Sequence, residues 1–177
     1  MRITFGAPMP SCSRYRNAEI VEIRHATLAD IPQIQALEAE SATAAHWSAV
    51  QYDALFVVDA PPRFALVAQN AMGDAGILGF LVATRLVEEW EIENIVVAEP
   101  YKNRGIGTAL VRQLLSEAEA ASATSVILEV RESNGLARRL YESNGLRAEG
   151  RRKAYYRNPV EDAILYRHSL QFCDKIS

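Results

Sequence analysis

The chain has 177 residues, 49% of them apolar, which is enough for one core and within the usual size of a single compact domain. Its 22 acidic and 19 basic side chains leave a net charge of −3, so it lacks the broad positive field of a DNA binder or of a protein held on anionic lipid. Cys12 and Cys173 stand near opposite ends, which suits neither a disulfide framework nor a metal clip, and no apolar run approaches the ~20 residues that cross a bilayer; a cytoplasmic protein without membrane contact is expected.

Residues 1–18 follow no apolar period and lack the unbroken apolar run of a signal peptide, so they read as an irregular N-terminal extension to a single domain over residues 19–177. Residues 20–24 have a short strand pattern. Thr27-Leu28-Ala29-Asp30 has the form of a capping box before a helix carrying Ile31, Ile34 and Leu37, although Pro32 favours Asp30 as the N-cap instead. Trp47 precedes a short helical pattern over 48–55. Strand patterns at 64–68, 77–86 and 90–97, with turn residues from 70 to 76, suggest an antiparallel meander.

After Glu99-Pro100 the period becomes helical. Ile106, Leu110, Val111, Leu114, Leu115 and Ala118 form one stripe, with Arg112, Gln113, Ser116, Glu117 and Glu119 opposite. A strand at 126–131, a helix at 134–143 with Ala137, Leu140 and Tyr141 on one face, and strands at 147–156 and 163–169 complete the chain. The order β, α, α, three β, α, β, α, β, β predicts a mixed sheet with helices packed on its faces. His25, His46 and His168 are too far apart in sequence to suggest a metal site.

Lys102-Asn103-Arg104-Gly105-Ile106-Gly107-Thr108 runs from a strand into the long helix. Such a junction leaves backbone N–H groups unpaired at the positive end of the helix dipole, which suits a phosphate, but it also suits a plain tight turn. The Gly-Lys-Ser/Thr ending of a mononucleotide loop is missing, because Thr108 and Ala109 follow Gly107. The dinucleotide pattern lacks its third glycine, since Leu110 stands there.

Lys102-Asn103-Arg104-Gly105-Ile106-Gly107 resembles the Arg/Gln-x-x-Gly-x-Gly/Ala motif of the GCN5-related N-acetyltransferase (GNAT) family, with lysine at the first position. Leu128 to Asn134, Ala137 and Leu140 to Leu146 extend the likeness, as do Arg151-Arg152, Tyr155-Tyr156, Asn158-Pro159 and Glu161 to Ile164. Within the family these segments resemble the bacterial ribosomal-protein alanine N-acetyltransferases. The resemblance spans residues 19–170 and is most specific in its second half.

It implies an α/β (α+β) fold with a mostly antiparallel central sheet and helices on both faces. The implied reaction moves an acetyl group from acetyl-CoA to an amine by direct transfer in a ternary complex, without a metal. The implied acceptor is the N-terminus of a protein, for which a ribosomal protein is one candidate. Asn103, Arg104, Gly105, Ile106, Gly107 and Thr108 would hold the coenzyme's pyrophosphate. Backbone groups of Ile95, Val96 and Val97 would align the pantetheine and hold the thioester oxygen, and Asn134, with helix capping as its alternative role, would contact coenzyme A.

Acetyl transfer needs an unprotonated amine, a polarised thioester and a proton for the departing thiolate. Alternation in the strand at 126–131 places Glu129 and Ile127 opposite Val126, Leu128 and Val130. A carboxylate there suits a general base but also an ion pair, for instance with Arg131; the resemblance implies the base. Tyr141, with an ordinary phenol pKa of ~10, is the candidate acid for a thiolate of pKa ~8.5, and a core tyrosine is its alternative. Trp47, Tyr155 and Tyr156 are the candidate acceptor residues.

Two other functions compete. An acetyltransferase of a small amine, such as a polyamine or antibiotic, would use the same fold and coenzyme site. Arg147, Arg151, Arg152, Lys153 and Arg157, interleaved with Tyr155 and Tyr156, suggest an RNA- or ribosome-binding segment over 147–157, or else a solvated hairpin balanced by Glu149, Glu161 and Asp162.

Overall fold

Alternating apolar residues and β-branched runs give seven strands, and 3.6-residue stripes give the helices between them. In chain order these are β1 (Val21–His25), α1 (Ile31–Ala39), α2 (Ala49–Asp53), β2 (Arg63–Asn70), β3 (Ile77–Arg85), β4 (Glu89–Val97), α3 (Ile106–Ala120), β5 (Ser125–Arg131), α4 (Gly135–Ser143), β6 (Arg147–Arg157) and β7 (Val160–Ser169). The structure is a computed structural model and describes residues 21–41, 47, 49–53, 62–71 and 76–170. The N-terminal extension, the end of the chain and parts of the expected 48–55 helix and 70–76 turn lie outside the described residues. Among the described residues no helix is long and apolar enough to cross a membrane.

The strands form one sheet in the order β1-β2-β3-β4-β5-β7-β6. Neighbours are antiparallel except for β4 and β5, which are parallel and joined through α3. Helices cover both faces, as the resemblance implied. On one, Ile34, Leu37 and Tyr52 of α1 and α2 meet Val67, Phe80 and Val96. On the other, Leu110, Leu114 and Tyr141 of α3 and α4 meet Leu66, Leu81 and Leu128. The stripe read from the sequence of α3 is the one buried, with Ile106, Leu110, Val111, Leu114 and Ala118 all in the core.

Both sequence readings of the start of α1 hold in part. Thr27 opens a 3₁₀ turn over Leu28–Asp30, and α1 then begins at Ile31 with Asp30 as its N-cap. The Asp30 carboxylate accepts the Thr27 N–H at 2.7 Å and two Arg24 guanidinium bonds at 2.7 and 2.8 Å. The Arg24 bonds are the main reason that its pKa falls to about 2.

Two features of β4 shape the site. First, Asn94 pairs with Val82 and Ile92 with Ala83, so Glu93 has no partner in β3 and forms a bulge. The bulge reverses the alternation: Trp90 and Ile92 face α3, whereas Val96 faces α1 and Ile95 and Val97 pack on the α3 side. Second, β4 and β5 pair only over residues 89–92 and 125–128. Beyond Ile92 and Leu128 the strands part, leaving a split through the sheet whose β4 edge carries the backbone of Ile95, Val96 and Val97.

Candidate active site

At the α3 end of the split, Gly105 is the N-cap of α3 with φ 87°, in the left-handed region that only glycine adopts without strain. The first backbone bond of the helix runs from the Ala109 N–H to the Gly105 carbonyl, at 2.9 Å. Helix geometry therefore leaves the N–H groups of Ile106, Gly107 and Thr108 without a carbonyl inside the helix. Asn103 is also left-handed, with φ 59°. This is the geometry of an anion site at a helix N-terminus.

The two glycines do different work. A Cβ on Gly105 would meet nothing within 4 Å, so its backbone angle is what demands glycine. A Cβ on Gly107 would lie 3.1 Å from Leu140 of α4. Gly107 therefore lets α4 close onto α3. Lys102 is ion-paired with Glu99, and the Arg104 guanidinium lies 5.4 Å from the centre of the Tyr101 ring. Asn134 takes the capping role, its side-chain oxygen accepting the Ala137 N–H at 3.1 Å.

Tyr141 is only 5% exposed, on the α3/α4 face with its ring 6.0 Å from that of Tyr166. Burial raises its pKa above that of an ordinary phenol, and nearby Tyr156 adds to the shift. The hydroxyl is therefore neutral at physiological pH.

The other face of the same strands is polar. Glu91, Ile127, Glu129, Gly150, Arg152 and Arg167 help to line a cavity of about 290 Å³. The alternation predicted for β5 holds, with Val126, Leu128 and Val130 in the core and Glu129 on the opposite side. Glu129, its side chain 18% exposed, pairs with Arg152 Nε at 3.0 Å. The sequence suggested Arg131 as that partner; Arg131 instead pairs with Glu161 at 3.2 Å and lies 4.1 Å above the Tyr156 ring. The cause is register, since Arg131 stands opposite Ala163, two residues from Glu161, whereas β6 brings Arg152 across from β7.

The Tyr155 hydroxyl bonds to Glu129, which raises its pKa. Burial raises that of Tyr156, and the two rings meet edge to face at 5.2 Å. Trp47 belongs to the same side of the sheet, packed on the α1/α2 core with its ring 5.5 Å from that of Tyr52. The structure thus brings Glu129, Tyr155 and Tyr156 close together, sets Trp47 on the same face, and places Tyr141 and the glycine loop on the other.

The 147–157 segment is exposed, and two of its arginines are engaged: Arg152 with Glu129, and Arg151 with Glu132 and Asp162. Glu149 balances Arg167 of β7.

Residues 28–146 match the acetyltransferase (GNAT) family. The chain belongs to that family. As a GNAT protein it is an acetyl-CoA-dependent N-acetyltransferase. A Bacillus subtilis relative, provisionally named a ribosomal protein bS18-alanine N-acetyltransferase, is 29% identical over 143 residues, 81% of this chain and 91% of the relative. The ribosomal protein bS18-alanine N-acetyltransferase of Escherichia coli K12 is 36% identical over 88 residues, 49% of this chain and 60% of the relative. The crystal structure of the Escherichia coli ribosomal-protein-S18-alanine N-acetyltransferase superposes with a TM-score of 0.75 at 24% identity, covering 89% of this chain and 99% of that one. At that identity the superposition speaks for the GNAT fold alone.

Sequence reasoning missed Glu91 and Glu93 on the polar face, and it named Arg152 without its place beside Glu129. Glu89, Glu91 and Glu93 alternate with Trp90 and Ile92, so an acidic strand face was readable. The bulge at Glu93 was not, because it breaks no pattern of residue type. Glu91 has its pKa raised by burial first, then by Glu93 and Glu129.

Proposed function

We propose that this enzyme acetylates the N-terminal α-amino group of a protein by direct transfer in a ternary complex, with donor and acceptor approaching the β4–β5 split from opposite faces. One observation carries the reading: Glu129 stands at the polar mouth of the split and already holds a cation, the 56% exposed side chain of Arg152 at 3.0 Å. The guanidinium occupies the place an acceptor ammonium would take, and an exposed arginine is displaced at little cost.

On the donor side, the backbone N–H groups after Gly105, with Asn103, Arg104 and Thr108, hold the coenzyme's pyrophosphate. The β4 backbone at Ile95, Val96 and Val97 aligns the pantetheine and holds the thioester oxygen, and Asn134 contacts coenzyme A. On the acceptor side, Trp47, Tyr155 and Tyr156 form aromatic walls for a peptide end. Glu129 takes the amine's proton, directly or through a water, and Tyr141 returns one to the thiolate of coenzyme A. An α-amine, with pKa ~8 against ~10.4 for lysine, is readily deprotonated by a carboxylate so placed. The activity in the relatives' names, acetylation of the alanine end of a ribosomal protein, points to the same acceptor class.

The test is a panel of peptides with varied first residues, run beside spermidine and an aminoglycoside. Turnover of peptides beginning with Ala or Ser is expected. Turnover of the small amines alone would overturn the reading in favour of a small-molecule acetyltransferase.

A further inference from the structure

Glu38 of α1 is 4% exposed, and among the described residues no lysine or arginine pairs with it. A buried carboxylate without a cation is costly unless hydrogen bonds replace its lost water. Here they do: Oε1 accepts from the Asn94 side-chain amide at 2.6 Å, and Oε2 accepts from the Trp47 backbone N–H at 3.0 Å. Asn94, itself 6% exposed, is the residue directly after the Glu93 bulge.

The bulge is held from its other side as well. Glu93 accepts from Arg63 Nε at 2.9 Å and from the Thr84 hydroxyl at 2.6 Å. Where a bulge sits decides which way each later backbone group of its strand points, and here the later groups are those of Ile95, Val96 and Val97. Glu38 thus grips the strand at the bulge with one oxygen and the backbone of Trp47 with the other.

A glutamine has the same shape but offers only one acceptor oxygen, whereas the Asn94 amide and the Trp47 N–H are both donors, and the Tyr52 hydroxyl beside the carboxylate can donate as well. Shape alone does not explain an acid at this position. Two acceptors do.

We propose that Glu38 is a positioning residue that ties the acceptor wall at Trp47 to the β4 bulge, so that acceptor seating and the alignment of the thioester-holding backbone are set together. This rests on the acceptor and donor roles proposed above for Trp47 and β4. Its sign in kinetics is a fall in kcat/KM for the acceptor while acetyl-CoA still binds.

The experiment compares Glu38→Gln, Asn94→Asp and the double variant, reading kcat and KM for the acceptor, the Kd of acetyl-CoA by calorimetry, and Tm. In the double variant the new amide at position 38 donates to the new carboxylate at position 94, and its oxygen accepts from the Trp47 N–H, so both bonds return with the charge moved to β4. Each single change leaves a buried group unmatched and should lower kcat/KM for the acceptor by about tenfold or more, with acetyl-CoA binding within about threefold. The double variant should recover to within about threefold of wild type. A double variant as impaired as the worse single one, or Glu38→Gln with wild-type kcat/KM, would overturn the proposal. The rescue is scored with any amine the wild type turns over. A missing rescue in an enzyme that acetylates peptide α-amines therefore removes the coupling alone, while rescue seen only with small amines removes the α-amine reading alone.

Discussion

On the α3/α4 side of the β4–β5 split the walls are backbone and apolar side chains: an uncapped helix start at Gly105, Val97 and Leu140 against Gly107, and a tyrosine sealed in the core. On the α1/α2 side the same two strands carry Glu91, Glu93 and Glu129, faced by Arg152, Tyr155 and Tyr156. A thioester is neutral and needs fixed donors at its oxygen and little water. An amine arrives as a cation and needs a carboxylate within reach of solvent. In the proposed reading one sheet meets both demands, because β5 alternates strictly while β4 changes phase at Glu93.

If the faces divide the work in this way, substitutions on one should spare the function of the other. Glu129→Gln should have the largest effect, lowering kcat by ~100-fold or more with acetyl-CoA Kd unchanged within about twofold, since it removes the proposed general base. Equal loss of acetyl-CoA binding in calorimetry would break the separation. Tyr141→Phe comes next. A fall in kcat of about tenfold, with the KM of both substrates little changed, is expected for loss of a proton donor that touches only the leaving thiolate. An unchanged rate of thiol release would leave Tyr141 as core packing alone.

Gly105→Ala acts on the donor face by conformation, since φ 87° strains any residue with a Cβ. It should cost about 1–2 kcal/mol, seen as a weaker acetyl-CoA Kd with the acceptor KM unchanged. Glu91→Gln should have the smallest effect. Its folded pKa lies above the usual glutamate value because of burial and the neighbouring carboxylates. The wild-type carboxyl is therefore fully favourable below its unfolded pKa of ~4.3, and that favour is lost as pH rises through the folded value. The variant should melt roughly 1–2 °C higher at pH 8, and the gain should vanish at pH 4; a gain that persists at pH 4 would contradict this origin.

The α3/α4 face, proposed for the donor, was largely legible in the sequence. Its helix stripe, glycine loop and β5 alternation are local patterns, and each appears where the residues placed it, down to Ile106 and Ala118 as buried positions. The contact of Leu140 with Gly107 was not readable there, because only packing brings α4 beside the start of α3.

The α1/α2 face, proposed for the acceptor, was legible only in pieces. Glu129 and the tyrosine pair were named from the resemblance, but the partner of Glu129 was misread, since register between β5, β7 and β6 decides which arginine arrives. Glu38, Asn94 and Trp47 meet across 56 residues of sequence separation at their widest. No period in the chain encodes such a meeting.

The central claim, a carboxylate at the polar mouth that serves an α-amine, is tested most directly by locating the acetyl group. A peptide with a free N-terminal alanine and one internal lysine, incubated with enzyme and acetyl-CoA and sequenced by tandem mass spectrometry, should carry the acetyl on the alanine nitrogen. Acetyl on the lysine side chain, with the terminal amine left free, would contradict the account.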